Sequence, residues 1–202
     1  AYIIDLGIDS NTSDIIMQSE NRGYTYKGQY ISSSRNAIEA ISAQVCDFTL
    51  QYLNDNYGYM TPVSVCFDAQ RLEGAFWTID NNISKLEVSP QAEQMYFSSY
   101  SLNAHDNILL DNQAAFSEFT DASGSFAYGG YIQQVKQLCN GPVLIDRAGL
   151  STNSNLFEMQ TDINNLSEKS QGEGIVRMHK AALQAGYMGM LIADLNDNWC
   201  GL

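Results

Sequence analysis

Apolar and polar positions change period several times along the chain, and each change marks an element. Residues 2–8 form a mostly apolar, β-branched run that predicts a strand. Polar residues then continue to about Ser34. From Asn36 the spacing becomes helical, through Ile38, Ile41, Val45, Phe48, Tyr52 and Leu53, with Asn36 and Glu39 placed as a capping box and Gly58 as a stop. Thr61-Pro62 leads into a short buried strand at Val63–Asp68, and 75–80 reads as its neighbour.

The interval 81–128 is less regular. It carries aromatic clusters at Tyr96-Phe97 and Phe116 to Phe119, and it predicts an insertion with short helices. Ile132, Val135 and Leu138 mark a short helix, and Gly141-Pro142 introduces a strand at 143–146. The polar stretch 151–174 reads as a long surface loop with one helical turn or two. Ile175, Met178, Ala182 and Ala185 form a helix stripe, Gly186 stops it, and 188–193 reads as a final strand. The alternation predicts one α/β domain over 1–202, three-layer and Rossmann-like, with a mainly parallel central sheet flanked by helices.

Composition sharpens this. A chain of 202 residues, 45% of them hydrophobic, can bury one substantial core. Twenty-three acidic against ten basic residues give a net charge of -13 with no basic patch, so nucleic acid is not expected as a partner, and no apolar segment is long enough for membrane insertion. The start at Ala1, without a basic leader, and the richness in Asn, Ser and Tyr lead us to expect a mature secreted or cell-surface chain, or a domain cut from one. Cys46, Cys66, Cys139 and Cys200 are widely separated with no CxxC pair, which argues against a zinc knuckle. Disulfides and buried thiols both stay open.

Five strand candidates end on an aspartate: Asp9, Asp68, Asp80, Asp146 and Asp194. Parallel strands would gather these carboxylates at one sheet edge, where open α/β folds place ligands. Carboxylates brought together repel unless a cation offsets them, and their hard oxygens suit magnesium or calcium. Turn and cap roles account for aspartates after strands equally well. Arg147 would neutralise part of the edge. His105, beside Asp106, is the one candidate general base, whereas His179 beside Lys180 reads as a surface residue. There is no G-x-S-x-G elbow, P-loop, H-E-x-x-H or G-x-G-x-x-G after a strand.

Asp9-Ser10-Asn11-Thr12-Ser13 after the first strand, Gly129-Gly130-Tyr131 before a short helix, and Val143-Leu144-Ile145-Asp146 together resemble a von Willebrand factor A domain with a degenerate metal-ion-dependent adhesion site. Asn11 and Tyr131 stand where that family has serine and threonine. The resemblance implies that Asp9, Ser13 and Asp146 hold a divalent cation, magnesium or calcium, whose open position accepts a partner's carboxylate. Asp5 is the runner-up for the first aspartate. Residues 139–149 and 180–192 are similar to elements of the protease-associated domain, which implies an accessory module of a secreted peptidase. The leading expectation is a recognition or adhesion domain that binds a protein or glycan partner at the carboxylate edge. A carboxylate- or metal-dependent hydrolase, for instance on sugars, and a pilus or surface-assembly subunit are the alternatives.

Overall fold

The structure, a computed structural model, describes residues 1–6, 16, 25–34, 37–68, 86–102, 116, 118–139, 141–149 and 168–192. In chain order its elements are β1 (Tyr2–Ile4), β2 (Ile31–Ser32), α1 (Ala37–Tyr57), β3 (Val63–Asp68), β4 (Glu87–Val88), a 3-10 turn at Pro90–Ala92, β5 (Ser98–Ser101), β6 (Thr120–Asp121), β7 (Gly124–Ser125), α2 (Ala127–Leu138), β8 (Val143–Ala148), α3 (Glu168–Gln184) and β9 (Gly189–Ile192). Five of the strands make one curled, all-parallel sheet in the order β1-β3-β5-β8-β9, so the fold is α/β with a parallel central sheet as expected. β2 with β4 and β6 with β7 form small antiparallel pairs beside it.

The strands cross the sheet in chain order, with no reversal. Right-handed crossovers then carry the connecting helices to one face. The packing agrees: Val63 and Val65 meet Cys46 and Leu50 of α1, while Tyr100, Val143 and Ile145 meet Tyr131, Ile132 and Val135 of α2 and Met178 and Ala182 of α3. Register puts the alternate residues on the opposite face, in the rows Ile3–Ser64 and Cys66–Ser99–Leu144–Gly189. That second face is small and polar through its middle.

Several elements differ from the sequence expectation. β1 is Tyr2–Ile4, and residues 7–8 of the expected strand lie outside the described residues. β5 occupies the middle of the sheet, inside the stretch read as an irregular insertion. Its sequence, Ser-Ser-Tyr-Ser, lacks the apolar run of a buried strand because Ser64 donates to Ser99 at 3.0 Å and Ser99 donates to the Val65 carbonyl at 3.1 Å. β3 lies between β1 and β5, and residues 75–80, expected as its neighbour, lie outside the described residues. α3 begins at Glu168, so the last seven residues of the stretch expected as a loop with a helical turn or two belong to a long helix, despite Gly172 and Gly174.

α2 likewise starts early and takes Gly129 and Gly130 into its first turn. A side chain at Gly130 would sit 2.5 Å from the Phe116 carbonyl oxygen, so close backbone approach explains the glycine. α1 ends where expected, at a Gly58 with φ of 70°. Its buried face is Ala37, Ile38, Ser42, Ala43, Cys46, Asp47, Leu50 and Leu53, while Ile41, Phe48 and Tyr52 of the expected stripe are exposed. Cys46, Cys66 and Cys139 are free thiols, and Cys200 lies outside the described residues.

Candidate functional site

The carboxyl end of β8 carries the chemistry. Val143, Ile145 and Ala148 anchor the strand in the core, and Asp146-Arg147 sits between the last two anchors. Both neighbouring strands slip there: Tyr100 and Ser101 pair with Ile145 and Arg147, while Met190 and Ile192 pair with Ile145 and Ala148. β8 thus has one more residue than either neighbour. Such a bulge bends a strand and re-aims a side chain.

Both carboxyl oxygens of Asp146 are shut off from solvent, and neither has a hydrogen-bond partner among the described residues. Burial pushes its pKa up, and the Asp5 charge adds to this. The Cys66 thiol, the Ser99 hydroxyl and the Arg147 charge pull the other way, the first two by approaching the carboxyl without closing a well-formed hydrogen bond. The result is a carboxyl biased toward keeping its proton. Cys66 faces Ser99 in the register, and its thiol is pushed up by burial first and by Asp146 and Asp5 next, which favours the protonated form.

Arg147 Nη2 lies 3.9 Å from Asp5 Oδ2. This pair joins the first and fourth strands of the sheet, which in a flat sheet would stand about 14 Å apart. Curling of the sheet brings the two rims together. Asp5, Cys66, Ser99, Asp146 and Arg147 therefore form one group at the carboxyl end of the polar face.

Asp47 shows what a structural carboxylate looks like in this chain. It also is fully buried, but the N–H groups of Tyr30, Ile31 and Gln29 donate to it at 2.6, 3.0 and 3.2 Å, and the Tyr26 hydroxyl and the Gln51 amide add two further bonds. Burial would raise its pKa, yet the donors from Ile31, Tyr30, Tyr26 and Gln29 outweigh it and hold the carboxyl below the usual range. Every lone pair is in use, which leaves nothing for a ligand.

Of the three residues expected to bind a cation, Asp146 stands in the group just described, while Asp9 and Ser13 lie outside the described residues, as do Asp80, Asp194 and His105. The runner-up, Asp5, is in the group. Asp68 ends β3 at the same rim. His179 is exposed on α3, in keeping with a surface role. Gly129-Gly130-Tyr131 is helical, and Tyr131 is buried in the core. Among the described residues, no three His, Cys, Asp or Glu side chains are placed to share a metal ion. Sequence reasoning missed Cys66 and Ser99 as members of the group, and only cross-strand register could have revealed them. No family model, no curated protein and no solved structure matches the chain.

Proposed function

We infer that the chain acts on glycans, with Asp146 as a proton-holding general acid and Asp5 as its carboxylate partner at the carboxyl end of the sheet. The observation that carries this reading is the Asp146 carboxyl: buried, without a hydrogen-bond partner among the described residues, and biased toward its protonated form. A carboxyl left in that condition destabilises the fold when charged, so a use for its proton is the economical explanation. In glycoside hydrolysis it would protonate the bridging oxygen as that bond breaks, while the second carboxylate activates a water or attacks the sugar carbon. Asp5, at the rim and paired with Arg147, is the carboxylate that would take the second role. The serines of the polar face suit a hydroxylated substrate, and a net charge of -13 disfavours polyanionic ones.

The test is turnover of a panel of neutral oligo- and polysaccharides, read as new reducing ends, by the parent and by Asp146→Asn. A general acid contributes on the order of a hundredfold or more, so the variant should lose at least that much. Activity should also fall as pH rises through the raised pKa of Asp146. A flat panel, or an Asp146→Asn chain as active as the parent, would sink the reading. Binding without turnover would favour the recognition role. If that binding also disappeared in chelator, the adhesion version would gain support, in which Asp146 joins Asp9 and Ser13 around magnesium or calcium.

A further inference from the structure

We propose that the outer face of α1 is a second glycan-binding surface, an aromatic platform for a neutral polysaccharide, remote from the carboxyl rim. Phe48, Tyr52, Tyr57 and Tyr59 are 66, 49, 59 and 55% exposed. Their rings follow one another at centroid separations of 6.3, 6.1 and 6.0 Å; Phe48 and Tyr52 are 26° from parallel, while Tyr57 turns edge-on to Tyr52 at 69° and lies 42° from Tyr59. The row runs along the outside of the helix to its C-terminal end and into the turn before β3, which is the amino end of the strands.

Two observations point to a sugar chain as the occupant. The first is that half of the expected apolar stripe of α1 faces outward: Ile41, Phe48 and Tyr52 are exposed, whereas Ile38 and Leu53 are buried together with the polar Glu39, Ser42 and Asp47. Large apolar side chains kept on the solvent side of a helix, against the local pattern, mark a surface that meets something. The second is the chemistry around the rings. α1 has no lysine or arginine, and its acids Glu39 and Asp47 are buried, leaving Asp55 as its one exposed charge.

The remaining neighbours are amides and hydroxyls. Gln44 and Gln51 line a shallow depression with Tyr26, Val45 and Phe48, and Asn56 lies beside the row. Exposed rings offer their faces to the C–H surfaces of sugar rings, and amides bond to hydroxyls without demanding charge on the ligand. The proposal takes its ligand class from the reading above and shares none of that reading's residues.

The probes are soluble β-glucan, xyloglucan, galactomannan and amylose, with polygalacturonate as the charged control, in affinity electrophoresis followed by calorimetry. At least one neutral polymer should retard the parent and the control should not. The Phe48→Ala/Tyr52→Ala chain should bind at least tenfold more weakly with its far-UV circular dichroism and melting temperature unchanged, since both side chains are exposed. Asp146→Asn should bind as the parent does, so loss of turnover and loss of the platform are separable. Retardation by none of the neutral polymers, or equal binding by the double variant, would overturn the proposal. So would a concentration-dependent dimer in sedimentation that the double variant abolishes, because the occupant would then be a second copy of the chain.

Discussion

Replacing Asp47 should do more damage than any other single change in the first half of the chain. Its carboxylate holds residues 26–31 against α1, accepting from two buried N–H groups, Tyr30 and Ile31, and from the Gln29 N–H nearer the surface. Asp47→Ala leaves those donors without a partner. At about 1–3 kcal/mol for each buried group, with water relieving Gln29, the loss comes to roughly 3–5 kcal/mol. That is a large share of the roughly 5–15 kcal/mol that stabilises a domain.

Asp47→Asn separates shape from charge. Its oxygen could still accept from Tyr30 and Ile31, but its amide would face the Gln29 N–H, so the expected loss is smaller, about 1–3 kcal/mol. The sign with pH follows from the lowered pKa. A carboxyl held below its unfolded value of about 3.9 stabilises the fold above that value, and the contribution disappears as pH falls through the lower, folded pKa. The parent should therefore lose stability on acidification more steeply than Asp47→Asn. Urea unfolding at several pH values, with the slope against denaturant checked for constancy, measures both effects. An Asp47→Ala chain within about 1 kcal/mol of the parent at pH 7, or parallel acid profiles for parent and Asp47→Asn, would refute the argument.

Gly130→Ala inverts the usual rule. Alanine in a helix normally gains about 1 kcal/mol over glycine, but here the new carbon would meet the Phe116 carbonyl at 2.5 Å, so a net loss of roughly 1–3 kcal/mol should appear as a lower melting temperature. Arg177 ties α3 to the β6–β7 hairpin through two bonds to Asp121, two carbonyls at Gly124 and Ser125, and the face of Phe126 at 4.2 Å. Arg177→Lys cannot reproduce that fork, and amide exchange across 120–126 should speed up while α1 keeps its protection. Asp146 carries the opposite pH sign from Asp47: with a raised folded pKa, it favours the fold below its unfolded value and penalises it as pH rises through the folded one. Asp146→Asn should therefore melt higher than the parent at pH 7, with the difference shrinking toward pH 4, and a parent that melts higher at pH 7 would contradict the assignment.

Elements whose period or punctuation is local were legible in the sequence. α1 ends at the glycine that its left-handed turn requires, β8 follows Gly141-Pro142, and β9 follows Gly186, whose φ is 87°. β5 was not legible, because its Ser99 is satisfied by Ser64 and the Val65 carbonyl of β3, 35 and 34 residues away, and no window along the chain contains that fact. α1 was found but its face only in part: Ile38 and Leu53 are buried, while Ile41, Phe48 and Tyr52 are exposed. Apolar residues cover more than half its circumference, and small Ala43 and Cys46, together with the donors that reach Asp47, decided which side lies on β3. The pattern counts apolar residues, whereas packing rewards close approach.

Asp47 and Asp146 make the same point about the site. Locally they are alike, an aspartate following Cys46 in one case and Ile145 in the other, each within a regular element. What separates them is supply of donors from elsewhere. A segment 16 to 21 residues upstream delivers three N–H groups and a hydroxyl to Asp47, while the slip of β8 against both neighbours leaves Asp146 with a thiol and a hydroxyl that only approach. One carboxylate is thereby spent on holding the fold, and the other is left without a hydrogen-bond partner among the described residues. Type and strand position were enough to single out Asp146 in the sequence. The choice between a charged cation ligand and a proton donor depends on a bulge, and a bulge exists only relative to the strands beside it.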